Sequence, residues 1–157
     1  MTTDESLWAA IYALYCLLID QVNDEASYQS LFEQHHAIFS VMGLDTSASF
    51  EKRSSNAIPF DPERNFQPEP DFICAEISSG NLVVVELKTP FVGEIKTARQ
   101  DGNRAKFKAI AESYVSQATE YVESIRQRPD ARDVVKSVLG ISRIADYRAG
   151  ACPDFCV

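Results

Sequence analysis

The chain has 157 residues, 45% hydrophobic and 24% charged, a balance that excludes a disordered polypeptide and fits one domain with a core of ordinary size. Its net charge of −8 excludes a uniformly basic nucleic-acid binder. Four cysteines without paired metal spacing exclude a zinc ribbon, and with no secretion signal the expected compartment is the reducing cytoplasm.

The first apolar run, Leu7 to Ile19, predicts a helix over about Asp4–Asp20. It falls short of the roughly 20 residues needed to span a bilayer. Asp4 and Glu5 stand where a signal peptide needs positive charge, so no membrane role is expected. A helix apolar nearly all round should be buried, in this domain or against another chain. A second helix is predicted over Ser27–Met42, ended by Gly43, with Tyr28, Leu31, Phe32, His35 and Phe39 forming its apolar stripe. His35 and His36 read as ordinary helix residues, and Glu33 lies between the stripe and the polar side. A first strand is expected within Thr46–Ser55. Residues 57–69, with Pro59, Pro62 and Pro68, can only be an irregular connector.

Two apolar runs then flank a short polar turn. Phe72 to Ile77 and Leu82 to Leu87, separated by Ser78–Asn81, predict a β-hairpin. The second run is nearly continuous in valine and reads as a central strand covered on both faces. It ends in Glu86 and Lys88, two charges that a buried strand avoids unless they are paired or serve chemistry. Both point to one side of the sheet. With Ser78 opposite Asn81, Asp71 faces Lys88 directly and Glu86 diagonally, with carboxylate-bearing Cβ atoms roughly 7–8 Å apart. Two carboxylates so placed can share one hard divalent cation. A loop of odd length would send Asp71 to the opposite face.

Beyond Thr89-Pro90, residues 91–104 are expected to form a mobile loop. Residues 1–90 carry 4 basic and 14 acidic side chains (net −10), and residues 91–157 carry 11 and 9 (net +2). Any phosphate-binding surface therefore belongs to the second half, with Lys96, Arg99 and Arg104 placed to meet a phosphate backbone if Lys88 marks a reaction centre. A solvated surface loop is the equal alternative. Ala105–Arg126 predicts a long helix bounded by Pro129, with Phe107, Ile110, Tyr114, Gln117, Ala118 and Tyr121 near one face. Residues 133–142 read as a strand, and the remaining tail shows no pattern. Cys16 and Cys74 read as buried thiols, Cys152 and Cys156 as incidental tail residues.

Pro70-Asp71 followed by Glu86-Leu87-Lys88 resembles the signature of the PD-(D/E)xK nuclease superfamily. The ordered series from Leu31-Phe-Glu-Gln-His-His through Pro-Asp-Phe and Val-Glu-Leu-Lys-Thr-Pro to Gln117-Ala-Thr-Glu-Tyr121 resembles the nuclease domain of the Shedu anti-phage defence proteins. The resemblance implies a mixed α/β (α+β) fold with a restriction-endonuclease-like αβββαβ core at residues 28–144. That core lies in a single domain spanning 1–157, with an extra helix in 1–22 for packing or oligomerisation. It implies a DNA endonuclease whose metal ligands are Asp71, Glu86 and the Leu87 backbone carbonyl. Glu33 joins that cluster, while Gln117 and Tyr121 order the site. The expected cofactor is Mg2+ or Mn2+ and the expected substrate DNA, with regulation by a partner, by self-association as a homo-oligomer (the favoured route), or not at all. Lys88 acts either as a neutral base or, the favoured role beside two carboxylates, as a fixed positive charge. The alternatives are a catalytically silent module of the same fold that binds nucleic acid or protein, and a small α/β protein whose Asp71, Glu86 and Lys88 form only an ion-pair cluster.

Overall fold

The computed structural model describes residues 3–89, 98–101, 104–107 and 109–151. The elements run α1 (Thr3–Ile19), α2 (Glu25–Gln34), α3 (Ala37–Val41), β1 (Thr46–Ser49), β2 (Phe72–Glu76) and β3 (Asn81–Glu86). A small pair, β4 (Ala98–Asp101) and β5 (Arg104–Phe107), is followed by α4 (Ala109–Gln127), α5 (Pro129–Leu139) and β6 (Asp146–Ala151). The fold is mixed α+β. Its main sheet has the order β1-β2-β3-β6, antiparallel except for the last pair. The parallel step from β3 to β6 needs a crossover, and α4 and α5 lie along it.

Alternation along the central strands splits the core in two. Ile73, Ala75, Leu82 and Val84 face Tyr121, Val122 and Ile125 of α4 and Ala131, Val135 and Leu139 of α5. Phe72, Cys74, Val85 and Leu87 face Tyr28, Leu31 and Phe32 of α2 and Phe39 of α3. The hairpin is thus covered on both sides, as its valine-rich second strand predicts. Phe39 and Phe72 pack with ring centroids 5.0 Å apart, and Phe32 lies 5.5 Å from Phe39.

Several expectations are corrected. The helix predicted over 27–42 breaks at His35, whose backbone leaves the helical region (φ −127°, ψ 61°), and this turns Phe39 into the aromatic cluster. The segment expected to form a loop contains β4, and β5 runs from its last residue into the expected helix, with Arg99 pairing with Lys106 and Asp101 with Arg104. Lys96 lies outside the described residues, and so do Cys152 and Cys156. The long helix consequently starts at Ala109 rather than Ala105. The strand expected over 133–142 is instead α5: Pro129 opens it and Gly140 closes it in the left-handed region at φ 68°. The closing strand lies later, in the unpatterned tail. Finally, α1 is only half covered. Ala10 is fully buried, but Trp8 and Tyr12 are 69% and 70% exposed, with Ile11, Tyr15 and Ile19 beside them. Cys16 is half-buried, whereas Cys74 is buried as expected.

Candidate active site

The site is built where β2 begins and β3 ends. The turn between them is Ile77–Gly80, one residue earlier than predicted. Glu76 organises it, its carboxylate accepting from Ser79 Oγ at 2.5 Å, Asn81 Nδ2 at 3.2 Å and Ser78 Oγ at 3.4 Å. Pairing therefore runs from Glu76↔Asn81 to Phe72↔Val85, and the next step places Asp71 across from Glu86 rather than from Lys88. The slip is by a whole pair, so every side chain keeps its predicted face. Its effect is to bring the two carboxylates closer than the diagonal arrangement, since directly opposed Cβ atoms lie about 4.5–5.5 Å apart.

The corner is drier than a strand end usually is. Glu86 is 8% exposed, and its Oε1 lacks a hydrogen-bond partner among the described residues. Its Oε2 lies 3.6 Å from Lys88 Nζ. Asp71 is half-buried, and its Oδ2 accepts the Leu87 N–H at 2.6 Å, in place of a ladder bond. Burial, then the neighbouring Asp71 charge, pushes Glu86 up to about 8 against the pull of Lys88. Burial likewise pushes Asp71 up to about 6, against the Leu87 hydrogen bond and the Lys88 charge. For Lys88 burial pulls downward, yet the hydrogen bond and charge of Glu25, with Asp71 and Glu86 behind it, hold the ammonium above its ordinary value. Lys88 is therefore protonated at neutral pH.

Two helices close the corner. From α4, the Tyr114 ring centroid lies 5.3 Å from Lys88 Nζ, a cation–π contact. One turn on, Gln117 Nε2 donates to Tyr121 Oη at 2.9 Å. Tyr121 is buried and stacks on Phe66 with centroids 5.5 Å apart. Burial raises its phenol, and the Glu86 and Asp71 charges add to that while the Gln117 bond opposes it. From α2, Glu25 Oε1 takes Lys88 Nζ at 2.7 Å. Gln29, 8% exposed, donates from Nε2 to Glu33 Oε1 at 3.0 Å and Ser49 Oγ at 3.1 Å, with the Asp71 carbonyl at 3.5 Å.

The structure thus brings Asp71, Glu86 and Lys88 together, with Gln117 and Tyr121 beside them. Glu33 stands apart: it is exposed and, among the described residues, is tied to the corner through Gln29. Glu25, Gln29 and Tyr114 were not singled out from sequence. The signal existed for the first two, because residues 25, 29 and 33 recur at intervals of four and share one face of α2. Arg99 and Arg104 lie on the β4–β5 hairpin. Among the described residues no group of three or more His, Cys, Asp or Glu side chains is arranged to hold a metal ion. The protein's own share of any metal shell would be two carboxylates and main-chain oxygen.

A mixed four-stranded sheet between helical layers, with paired carboxylates and a protonated lysine at the mouth of its central hairpin, defines the class to which the chain belongs. Its family is narrower. A family model described as Shedu protein SduA, C-terminal, matches residues 22–143, and the chain belongs to that family, one associated with anti-phage defence. No curated protein matches it. No described helix is long and apolar enough to cross a membrane.

Proposed function

We propose that the chain is a metal-dependent endonuclease domain of PD-(D/E)xK type, with a restriction-endonuclease-like core, that hydrolyses DNA phosphodiester bonds in defence against phage or other foreign DNA. What supports this most is the direct opposition of Asp71 and Glu86 beside Lys88, 3.6 Å from the Glu86 carboxylate, in a corner where Glu86 Oε1 has no partner among the described residues. With α1, α3, α5 and the β4–β5 pair read as additions, the remaining order of helix, three antiparallel strands, helical crossover and parallel fourth strand supports the αβββαβ reading.

The donor set suits magnesium or manganese. Its atoms are hard oxygens, an orphaned buried carboxylate oxygen calls for a cation, and magnesium commonly takes one or two protein carboxylates while keeping water. Asp71, Glu86 and the Leu87 carbonyl would hold the ion, which when bound polarises the scissile phosphate and acidifies a water. Lys88, kept protonated, offers positive charge to the oxygens on which charge develops, rather than serving as base. Glu25 and the Tyr114 ring fix its ammonium. Gln117 and Tyr121 brace the α4 side, and Glu33 acts through Gln29. Lys96, Arg99 and Arg104 are the proposed phosphate contacts. The exposed face of α1 supports self-association or a protein partner as the means of regulation.

Supercoiled plasmid incubated with the chain in Mg2+ or Mn2+ should be cut, with no cutting in EDTA. Lys88→Ala and Glu86→Gln should each lower the rate by at least about a hundredfold, the usual scale for losing one transition-state contact. Cutting that survives both substitutions would refute the assignment. One observation favours a catalytically silent module instead: Lys88 bonds Glu25 more closely than Glu86, at 2.7 Å against 3.6 Å. Inactive protein that still binds DNA in a salt-sensitive way would select that reading.

A further inference from the structure

At the end of the sheet away from Glu86, three cations line one depression of about 370 Å³. Arg132 and Lys136 reach it from successive turns of α5, Ser142 and Arg143 from the loop that follows, and Ile144 and Tyr147 form its apolar wall. Tyr147 pairs with Leu82, four residues before Glu86, so about 13 Å of strand separates this wall from the carboxylate corner. In a chain of net charge −8, a concave surface lined by three cations and no carboxylate calls for an anionic occupant.

The lining is partly organised already. Arg132 Nη1 donates to the Arg126 carbonyl at 2.7 Å, which fixes the guanidinium and leaves its other donors available. Among the described residues Lys136 is engaged by Asp133 alone, at 2.7 Å, and that aspartate is 72% exposed. An ion pair so wet is worth little, so an incoming polyanion displaces it at small cost. Arg143 makes no ion pair among the described residues. It also borders an adjoining depression of about 310 Å³ beside the hairpin turn, whose lining includes Glu76, so the cationic part of the cleft ends at Arg143. Ile144 and Tyr147 pack against the hydrophobic core, so the wall is held firmly. The volume lies at the lower end of the range for small-molecule sites, about 300–1,000 Å³.

We infer that this depression binds a phosphorylated small molecule of nucleoside-diphosphate size, its phosphates on Arg132, Lys136 and Arg143 and its organic part against Ile144 and Tyr147. The site is separate from the carboxylate corner and does not depend on the reaction proposed there. Duplex DNA is the less suitable occupant, since three cations gathered in one depression are not a continuous basic stripe along a phosphate backbone.

Calorimetric titration of the full chain with ADP, and separately with inorganic pyrophosphate, tests this in EDTA at 150 mM NaCl, conditions that remove any metal-dependent binding at the carboxylates. Saturable one-to-one binding of ADP is expected, tighter than pyrophosphate. Lys136→Ala with Arg143→Ala should weaken it by about tenfold or more, and Ser142→Glu should weaken it comparably, with melting temperatures unchanged because these side chains lie at the surface. Absence of saturable ADP binding, unaltered affinity in both variants, or equal affinity for pyrophosphate would overturn the assignment. So would displacement of ADP by duplex DNA with loss of DNA binding in the same variants, which would make the cleft a DNA contact.

Discussion

Glu86 is the residue at which stability and chemistry oppose each other. Its carboxyl and that of Asp71 are both raised by burial, with Lys88 the one near cation among the described residues. A carboxyl whose folded-state pKa is raised holds its proton more firmly when folded than when unfolded. Its stabilising contribution is therefore complete below the ordinary carboxylate range and is lost as pH rises through about 6 for Asp71 and about 8 for Glu86. Metal-free protein should become steadily less stable between roughly pH 5 and pH 8. Glu86→Gln removes the larger share of that slope and should raise the melting temperature at pH 8 by on the order of 5 °C. Mg2+ should raise the wild-type value at pH 8 and leave that of Glu86→Gln nearly unchanged. Thermal denaturation across this range in EDTA and then in Mg2+ measures both effects, and an unaltered slope in the variant would refute the assigned burial.

At the scale of elements, the hairpin and α5 show what sequence carries and what it withholds. Period-two alternation placed Asp71, Glu86 and Lys88 on one face, and it survived a misplaced turn because the slip was by a whole pair. The true turn depends on Glu76 bonding three neighbours and on Gly80 at φ 73°, tertiary detail that a polar Ser-Ser-Gly-Asn string does not specify. A Cβ at Gly80 would lie 3.4 Å from both the Cβ and the N of Ala145, whose N–H bonds the Gly80 carbonyl at 2.8 Å. Gly80→Ala should cost about 1–2 kcal/mol in urea denaturation, from strain in the left-handed region and local crowding. In sequence α5 resembles a strand because of Val134, Val135 and Val138, although Pro129 and Gly140 mark the ends of a helix. As a helix it aligns Ala131, Val135 and Leu139, all buried, and turns Ser137 outward. Val135→Ala should lose about 2 kcal/mol, whereas Ser137→Ala should be neutral or mildly stabilising. A strand would instead put residues 135 and 137 on opposite terms with 134 and 136, so equal losses at 135 and 137 would contradict the helix. β6 was illegible for a different reason. Asp-Tyr-Arg-Ala-Gly-Ala has no strand pattern of its own, and its place is set by pairing along β3.

Across the whole molecule, charge governs how a polyanion is received. The first 90 residues, which supply Asp71, Glu86, Lys88 and the α2 wall, carry a net charge of −10, while the remainder carries only +2. Besides the two site carboxylates, Glu25 and Glu51 also act to raise the Asp71 carboxyl, so the corner is a field of like charge. A phosphate group approaching it meets repulsion that Lys88, already bonded to Glu25, does little to offset. DNA affinity should therefore depend on a divalent cation even when no bond is cut. By fluorescence anisotropy with a short duplex, Ca2+ should tighten binding by about tenfold or more over EDTA. Few lysines and arginines can meet the backbone, so log K against log salt in EDTA should have a shallow slope of roughly −2 to −3, equivalent to about three neutralised phosphates. Above about pH 8, where the Glu86 carboxyl is ionised, Glu86→Gln should bind DNA in EDTA at least as well as wild type, because it removes a negative charge, yet gain less from Ca2+. Tight, steeply salt-sensitive binding by the wild-type chain in EDTA would instead place the DNA on a basic surface remote from the carboxylates, and would separate binding from the corner altogether.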